Sequence, residues 1–261
     1  MGAPLVVHAI EGAVGEISLN RPDAGNAMNL ALLEALDEAT AAICGNRRTR
    51  AILLRGEGRH FCVGGDITAF AERDGAAASM ERLVRPLHRI VLRLANHAAP
   101  VIVAAQGASA GAGLSLVACA DVAIAARSAS FTMAYTAIGL TADAAATWFL
   151  PRVVGLRRAQ ELAFGGRRLS AEEAESWGLV TQVVDDNVLV GAARRVAERL
   201  AAGPTQAFGA IKRLLATQSG ASLSEHLDAE ARAIVAARGR ADAQEGIEAF
   251  LGRRPPRFEG A

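Results

Sequence analysis

Two glycine-rich segments and one isolated acid are the parts of this sequence that could do chemistry. The first segment, FCVGGDI over residues 61–67, follows the strand-like run AILLR over 51–55. The second, QGASAGAG over 106–113, follows the β-branched run 101–103. Such loops, each after a buried strand, can present backbone N–H groups to one developing negative charge, as in an oxyanion hole. The acid is Asp143, which stands in an otherwise uncharged segment.

Each of these features also has an interpretation without chemistry. The glycines can simply make tight turns. Asp143 lies among alanines in TADAAATW, where an aspartate can be the N-cap of a helix. Neither segment has the GxxxxGK[ST] pattern of a phosphate-binding loop or the GxGxxG spacing with a downstream acid, so nucleotide binding is not indicated.

Alternating strands and helices must position the two loops. Apolar and β-branched runs predict strands over 5–10, 14–19, 51–55, 101–103, 122–125 and 179–184, with a hairpin at Glu11–Ala13. Helical patterns cover about 29–43 and 80–94, and polar and small residues over 71–78 predict a mobile segment between them. This alternation predicts parallel pairing and an α/β core.

The last third of the chain has a different pattern. After Gly155 the run 179–184 is the single predicted strand, so we expect this part to be helical. Ser170 with Glu173, and Ser222 with Glu225, have capping-box spacing, and Gly203-Pro204 is expected to separate two helices. Without a second sheet, this part is expected to be an appendage or an oligomer contact.

Composition excludes several classes of protein. The chain has 261 residues, 51% of them hydrophobic, and a net charge of +1, which excludes disorder and gives no electrostatic argument for nucleic acid or an anionic membrane. Three cysteines without CxxC spacing and no secretory pattern predict reduced thiols in a cytoplasmic protein. The five histidines have no paired ligand spacing, so no metal is expected.

The uncharged stretch 98–120 is long enough to raise the question of a membrane span. Gln106, Ser109, Ser115 and three glycines interrupt it, and no second span is evident. We therefore expect a deeply buried strand, loop and helix.

Several motifs together resemble one family, the crotonase superfamily with the enoyl-CoA hydratase/isomerase fold. They are NRPDAGNAMN (20–29), FCVGGDI, QGASAGAGLSLVACADVAIAA (106–126), WFLPRVVG (148–155) and LSAEEAESWGLVTQVV (169–184). The resemblance implies an α/β spiral of ββα units over 1–200 and a helical trimerisation region over 201–261, in trimers or dimers of trimers. It also implies an acyl-CoA substrate, with coenzyme A as part of the thioester and no separate cofactor.

The resemblance assigns roles to individual positions. The oxyanion donors would be the amides of Gly65 and Ala112. Contacts with coenzyme A would fall around Arg21, Ala24, Ala27, Gly64, Asp66 and Ile67. Asp66 also fits a purely local role as a turn or cap residue.

This sequence departs from the family pattern at two important positions. Enoyl-CoA hydratases hold the attacking water between two glutamates, and here those positions are Ser115 and Tyr135. Neither side chain can act as a general base near neutral pH in the way that a carboxylate can. Tyr135, the single tyrosine, would face the acyl pocket, with its ring as lining or its hydroxyl as a hydrogen-bond donor.

Asp143, eight residues after Tyr135, resembles the aspartate of two other branches. The closer resemblance in motif, through the neighbouring WFLPR, is to the ring-epoxide isomerase branch associated with phenylacetyl-CoA catabolism, where an aspartate at this place handles the proton. In the chlorobenzoyl-CoA dehalogenase branch the matching aspartate is a nucleophile, and a histidine there matches His88. His88 equally fits the side of the 80–94 helix as a histidine satisfied by local partners.

The sequence therefore predicts an acyl-CoA isomerase that shifts a proton through a thioester enolate. The first alternative is an enoyl-CoA hydratase, which is a lyase, with an atypical site. The others are a dehalogenase-like hydrolase and a non-catalytic scaffold that binds acyl-CoA or RNA. The near-neutral charge is an argument against RNA.

Overall fold

Two sheets, one of six strands and one of three, supply the framework of the described part of the protein. The computed structural model describes residues 3–70 and 76–261. The strands are β1 (Val6–Glu11), β2 (Val14–Leu19), β3 (Ala51–Gly56), β4 (Val101–Ala105), β5 (Ala108–Ala110), β6 (Val122–Ala126), β7 (Ser130–Thr132), β8 (Arg168–Ser170) and β9 (Gln182–Val184). The larger sheet has the order β1-β2-β3-β4-β6-β9, and the smaller one has the order β5-β7-β8.

The helices follow the predicted alternation with the strands. They are α1 (Leu30–Gly45), α2 (Ala76–Asn96), α3 (Ala112–Cys119), α4 (Ala146–Val154), α5 (Leu156–Gly165), α6 (Ala171–Ser176), α7 (Leu189–Ala201), α8 (Thr205–Thr217), α9 (Leu223–Arg238) and α10 (Ala241–Leu251). Both predicted capping boxes are present, at the first turns of α6 and α9. Across 3–70 and 76–261, no helix has the length and apolar character to cross a membrane.

The segment predicted to be mobile, 71–78, is partly helical. Its residues Ala76–Ala78 form the first turn of α2. The apolar pattern alone predicts that this helix begins at about residue 80. Alanine has the highest intrinsic helix propensity, so an alanine-rich turn extends the helix without contributing to its apolar stripe. Residues 71–75 lie outside the described residues.

The first two strands form the predicted hairpin. β1 and β2 pair antiparallel, and Gly12 in the turn has a φ of +62°, which glycine adopts without strain. The later neighbours in the larger sheet pair in parallel, from β2 and β3 through β6 and β9. The predicted α/β core with parallel pairing is therefore confirmed.

Three short strands escape the sequence pattern. β5, β7 and β8 have three residues each, too few to show an alternating period. The presence of β8 makes the expectation of a single strand after Gly155 wrong. β9 is also shorter than predicted, because the amides of Leu179 and Val180 bond back to the Ala174 carbonyl of α6 and not to a strand.

Both faces of the larger sheet are covered, which explains why its central strands are apolar throughout. In β3, Ile52 and Leu54 face the core shared with α1, α2 and α3, whereas Leu53 faces α7. All five residues of β4 are buried. A strand buried on both faces has a continuous apolar run, not an alternating one. Because β3 and β4 are parallel neighbours, their carboxyl ends open at the same edge, and the two glycine-rich loops begin there.

The C-terminal helices follow the predicted break at Gly203-Pro204. Lys212, the single lysine, ties α8 to the core by bonds from its Nζ to the Leu94 carbonyl (3.0 Å) and to Asp121 Oδ2 (2.6 Å). Large apolar side chains on α9 and α10 are exposed, including Leu227, Ile234, Val235, Phe250 and Leu251. Exposed apolar faces are typical of interaction surfaces. The trimer and the division of the chain into a core and a helical region at residue 200 stay predictions.

The C-terminal tail folds back on α10. The buried carboxylate of Asp242 accepts bonds from the amides of Glu259 (2.7 Å) and Gly260 (2.9 Å). Glu245 accepts two hydrogen bonds from the Arg254 guanidinium and one from the backbone N–H of Arg257. These bonds lower the pKa of Glu245 to about 2. Two carboxylates of α10 therefore hold the tail in place.

We predict that Asp242→Ala lowers the free energy of unfolding by about 1–3 kcal/mol, because the two tail amides lose their acceptor. Urea unfolding followed by circular dichroism measures the change. The matched control is Asp228→Ala on the exposed face of α9, which should stay within about 0.5 kcal/mol of the wild type. Equal stability of the two variants would contradict the role given to Asp242.

Candidate active site

The two glycine-rich loops are joined directly through their backbones. Cys62 and Ser109 form an isolated parallel bridge, and the Cys62 carbonyl accepts a bond from the Ala110 amide at 3.0 Å. Gly65 lies three residues after Cys62, and Ala112 lies three residues after Ser109. The register of the bridge therefore brings Gly65 and Ala112 to matching places, and both line the same cavity. Among the described residues, neither amide donates a backbone hydrogen bond.

Glycine is required where the loops touch. Gly64 has a φ of +97°, and a Cβ there would lie 2.8 Å from the Ala110 carbonyl oxygen. A Cβ on Gly113, in the first turn of α3, would lie 2.2 Å from the Cys62 carbonyl oxygen. These glycines thus do more than turn the chain, because they allow two backbones to approach within contact distance.

A buried asparagine holds the first loop from its other side. Asn26 is fully buried with a φ of +58°, and its side-chain amide donates to the carbonyls of Glu57, His60 and Phe61. Asn26 lies in a backbone turn in which its amide donates to the Arg21 carbonyl. Its side-chain bonds reach residues more than thirty positions away, so no local sequence pattern indicates them. The turn and the loop that carries Gly65 therefore form one unit.

A cavity of about 420 Å³ opens onto both loops. Its walls are largely apolar, with contributions from Leu33, Leu83, Val84, Leu87, Ile138 and Leu140. Asp143 also lines it, and within 3–70 and 76–261 this is the one carboxylate that does so. An apolar chamber with two backbone amides and one carboxylate suits an uncharged acyl group that carries a reactive carbonyl.

Asp143 contacts His88, the histidine that the dehalogenase resemblance names, although the sequence did not show that the two side chains pair. Its Oδ1 lies 2.7 Å from His88 Nε2 on α2, and it also accepts a bond from the Ala144 amide. The side chain of Asp143 is 26% exposed and that of His88 is 53% exposed, so the pair connects the cavity to solvent. The interpretation of Asp143 as a helix N-cap is wrong, because the N-cap of α4 is Ala145.

The backbone after Asp143 has an unusual conformation. Ala144 and Ala145 have φ values of +51° and +59°, in the left-handed region. This conformation costs a non-glycine residue roughly 1–2 kcal/mol, so surrounding contacts must stabilise it. Strain of this kind concentrates at functional sites.

The two positions where hydratases have glutamates hold hydroxyl groups that contact Asp143. Ser115 Oγ and Tyr135 Oη each lie 3.2 Å from the Asp143 backbone carbonyl oxygen and 3.2 Å from each other. Burial raises the pKa of Tyr135 to about 12, so its hydroxyl keeps its proton near neutral pH. Tyr135 also lines the cavity, so its ring and its hydroxyl have separate contacts.

The residues expected to contact coenzyme A divide into two groups. Gly64 and Ile67 line the cavity. Arg21, Ala24, Ala27 and Asp66 are not part of its lining. Their contact with coenzyme A stays a prediction.

Arg21 and Asp66 form an ion pair near the first loop. Arg21 Nη1 donates to Asp66 Oδ2 (2.6 Å) and to the Ala27 carbonyl (3.0 Å). The Thr68 hydroxyl and amide donate to the other oxygen of Asp66. The Thr68 hydroxyl and the Arg21 guanidinium lower the pKa of Asp66 below its usual range. Asp66 therefore has the local turn role that its sequence position allows.

We predict that Gly113→Ala destabilises the protein by about 1–3 kcal/mol and lowers activity, because the added Cβ must push the Cys62 carbonyl away. Thermal unfolding and steady-state kinetics measure the two effects. Gly165→Ala, at the end of α5 with open space around its Cβ, is the control and should stabilise the helix by up to about 1 kcal/mol. If Gly113→Ala changed neither the stability nor the activity, the two loops would have to be free to separate.

Comparison with known proteins places the chain among close relatives. The family model for enoyl-CoA hydratase/isomerase matches residues 9–261. The chain is 40% identical over 260 residues to the 1,2-epoxyphenylacetyl-CoA isomerase of Escherichia coli strain K12, covering 98% of both chains. It is also 40% identical over 257 residues to a protein of Rhodobacter capsulatus named a probable enoyl-CoA hydratase, covering 97% of both.

A solved structure agrees with the fold. The enoyl-CoA hydratase of Polaromonas sp. JS666 superimposes with a TM-score of 0.92 at 33% identity, covering 97% of this chain and 99% of that one. The crotonase-type fold expected from the loop motifs is thereby confirmed. The chain belongs to the enoyl-CoA hydratase/isomerase family.

Proposed function

We propose that this protein is an acyl-CoA isomerase in which Asp143 carries a proton between two carbons of the acyl chain. The observation that carries the proposal is the placement of Asp143 as the one carboxylate, among the described residues, on a cavity that also exposes Gly65 and Ala112. A proton shuttle needs a single group that can take a proton and return it. The Escherichia coli relative is named an isomerase of an epoxide of phenylacetyl-CoA, so its name supports an isomerisation of an acyl-CoA but not the double-bond shift in particular.

The first step would form an enolate. Asp143 would take a proton from a carbon that is acidified by the thioester carbonyl or by its conjugated double bond. The amides of Gly65 and Ala112 would donate to the thioester oxygen as negative charge develops there. Ala112 begins α3, so the positive end of the helix dipole acts on the same oxygen. Losing one such donor typically costs about 3 kcal/mol of transition-state stabilisation.

The second step would return the proton. Protonated Asp143 would deliver it to another carbon of the conjugated system, the double bond would move, and the thioester carbonyl would reform. No atom is gained or lost, so the reaction needs no co-reactant. Water addition would instead require positioning a water and protonating the α-carbon, for which hydratases use two carboxylates.

The substrate would be held at both ends. The apolar walls of the cavity would take the acyl group, and the loop 20–29 with Gly64, Asp66 and Ile67 would contact coenzyme A. Hydration is the second candidate, because the Rhodobacter capsulatus relative is named for it at the same identity. The experiment on enoyl-CoA thioesters described next separates isomerisation from hydration.

We predict that Asp143→Asn lowers double-bond migration and solvent-deuterium exchange in enoyl-CoA thioesters by about 10²- to 10⁴-fold. Asparagine keeps the shape of the side chain but cannot accept the proton. Proton NMR of a panel of enoyl-CoA thioesters in D₂O measures both reactions, and product binding by calorimetry shows that the site is intact. Asp228→Asn, on the exposed face of α9, is the matched control.

Two results would contradict the proposal. An Asp143→Asn variant with wild-type migration would exclude Asp143 as the proton carrier. A wild type that adds water to crotonyl-CoA faster than it moves a double bond in any thioester of the panel would replace the isomerase by the hydratase.

We predict that His88→Gln reduces the deuterium incorporated per migration event severalfold while reducing the migration rate much less. His88 Nε2 contacts Asp143 Oδ1, and its ring is half exposed, so it offers the proton on Asp143 a route to solvent. Glutamine can keep the contact but cannot carry the proton. Mass spectrometry of product formed in D₂O gives the ratio, and an unchanged ratio would show that Asp143 exchanges directly with water.

A further inference from the structure

Two hydroxyl groups converge on the backbone of Asp143, not on its carboxylate. Ser115 is fully buried, and its Oγ lies 3.2 Å from the Asp143 carbonyl oxygen. Tyr135 Oη lies at the same distance from that oxygen and from Ser115 Oγ. The Ser115 hydroxyl also reaches the Gly111 carbonyl at 3.2 Å. Both hydroxyl protons therefore stay within one small network centred on the backbone of Asp143.

The network acts at the start of a strained turn. Ala144 and Ala145 are both left-handed, and neither is glycine. The Asp143 carbonyl also accepts the Ala146 amide at 3.1 Å, which closes the turn. A carbonyl fixed in this way limits the directions in which the Cα–Cβ bond of Asp143 can point, because only rotation about the Cα–C bond lies between them. The hydroxyl pair thus holds the peptide that aims the carboxylate.

The same network links the carboxylate to a proposed oxyanion donor. Ser115 lies one turn after Ala112 on α3, a helix whose eight residues are all buried. The Gly111 carbonyl, which accepts both the amide and the hydroxyl of Ser115, belongs to the peptide that carries the Ala112 amide. One short rigid helix therefore connects the Ala112 amide to the position of Asp143.

We propose that Ser115 and Tyr135 are positioning residues that fix the carboxylate of Asp143 relative to the amide of Ala112. This inference rests on the proposed function, since it gives Asp143 the role of proton carrier. It assigns the hydroxyl of Tyr135 a task that a lining ring does not have. Small displacements of a reacting group lower the rate steeply while leaving substrate binding almost unchanged.

The test compares Ser115→Ala, Tyr135→Phe and the double variant with the wild type. We expect each single variant to lower kcat for double-bond migration by about 10- to 100-fold, with KM and product affinity within about twofold. Because the two hydroxyls share one carbonyl, the double variant should lose less than the product of the single losses. Rates are referred to the folded fraction, measured by near-UV circular dichroism.

The control removes a neighbouring hydroxyl that does not touch Asp143. Thr136 follows Tyr135, lies outside the cavity lining, and donates to the Ala163 carbonyl at 2.9 Å. Thr136→Val should leave kcat unchanged. If Ser115→Ala does not fold, Tyr135→Phe decides the question alone, since it retains the buried ring.

The outcomes separate this inference from the function on which it rests. Wild-type kcat in Tyr135→Phe and Ser115→Ala, with an inactive Asp143→Asn, would overturn the positioning role and leave the isomerase. A raised KM with unchanged kcat would also overturn it, because it would give Tyr135 a binding role. An active Asp143→Asn would overturn the function itself.

Discussion

The site depends on the direct backbone contact between the two glycine-rich loops. Each loop continues a buried parallel strand, and the bridge between Cys62 and Ser109 sets the register in which Gly65 and Ala112 face the same cavity. No side chain can be inserted at Gly64 or Gly113 without moving a carbonyl of the opposite loop. The parallel sheet, the small second sheet and the Asn26 turn all hold this contact in place.

Around that contact, the chain places a single carboxylate at the wall of an apolar cavity, within the part of the chain that the structure describes. The backbone that carries Asp143 is left-handed at the next two residues and is bonded to hydroxyls from two other segments. The carboxylate itself contacts a half-exposed histidine. The backbone of Asp143 is therefore held rigidly, while its side chain is partly exposed to solvent. Both features suit a group that must receive and release a proton.

The sequence could predict the features that have a local signal. The apolar runs of β3 and β4 and the glycines that follow them indicate buried strands and loops, and the helical period locates α2. β5, β7 and β8 could not be predicted, because three residues carry no period and their partners are distant. His88 and Asp143 are 55 residues apart, so their contact depends on the packing of α2 against the site. The replacement of two glutamates by Ser115 and Tyr135 was visible, but their convergence on a backbone carbonyl was not.

The amides of Gly65 and Ala112, which donate no backbone hydrogen bond within residues 3–70 and 76–261, have a consequence for how such a site can be mapped. A donor that belongs to the main chain is present with every side chain except that of proline. Alanine scanning of the cavity would therefore report on shape and on Asp143, and every folded variant would still contain both N–H groups. Proline would remove one of them but would also fix φ at that residue. An ester in place of the amide, introduced by chemical or semisynthetic assembly of the chain, removes the N–H without that constraint.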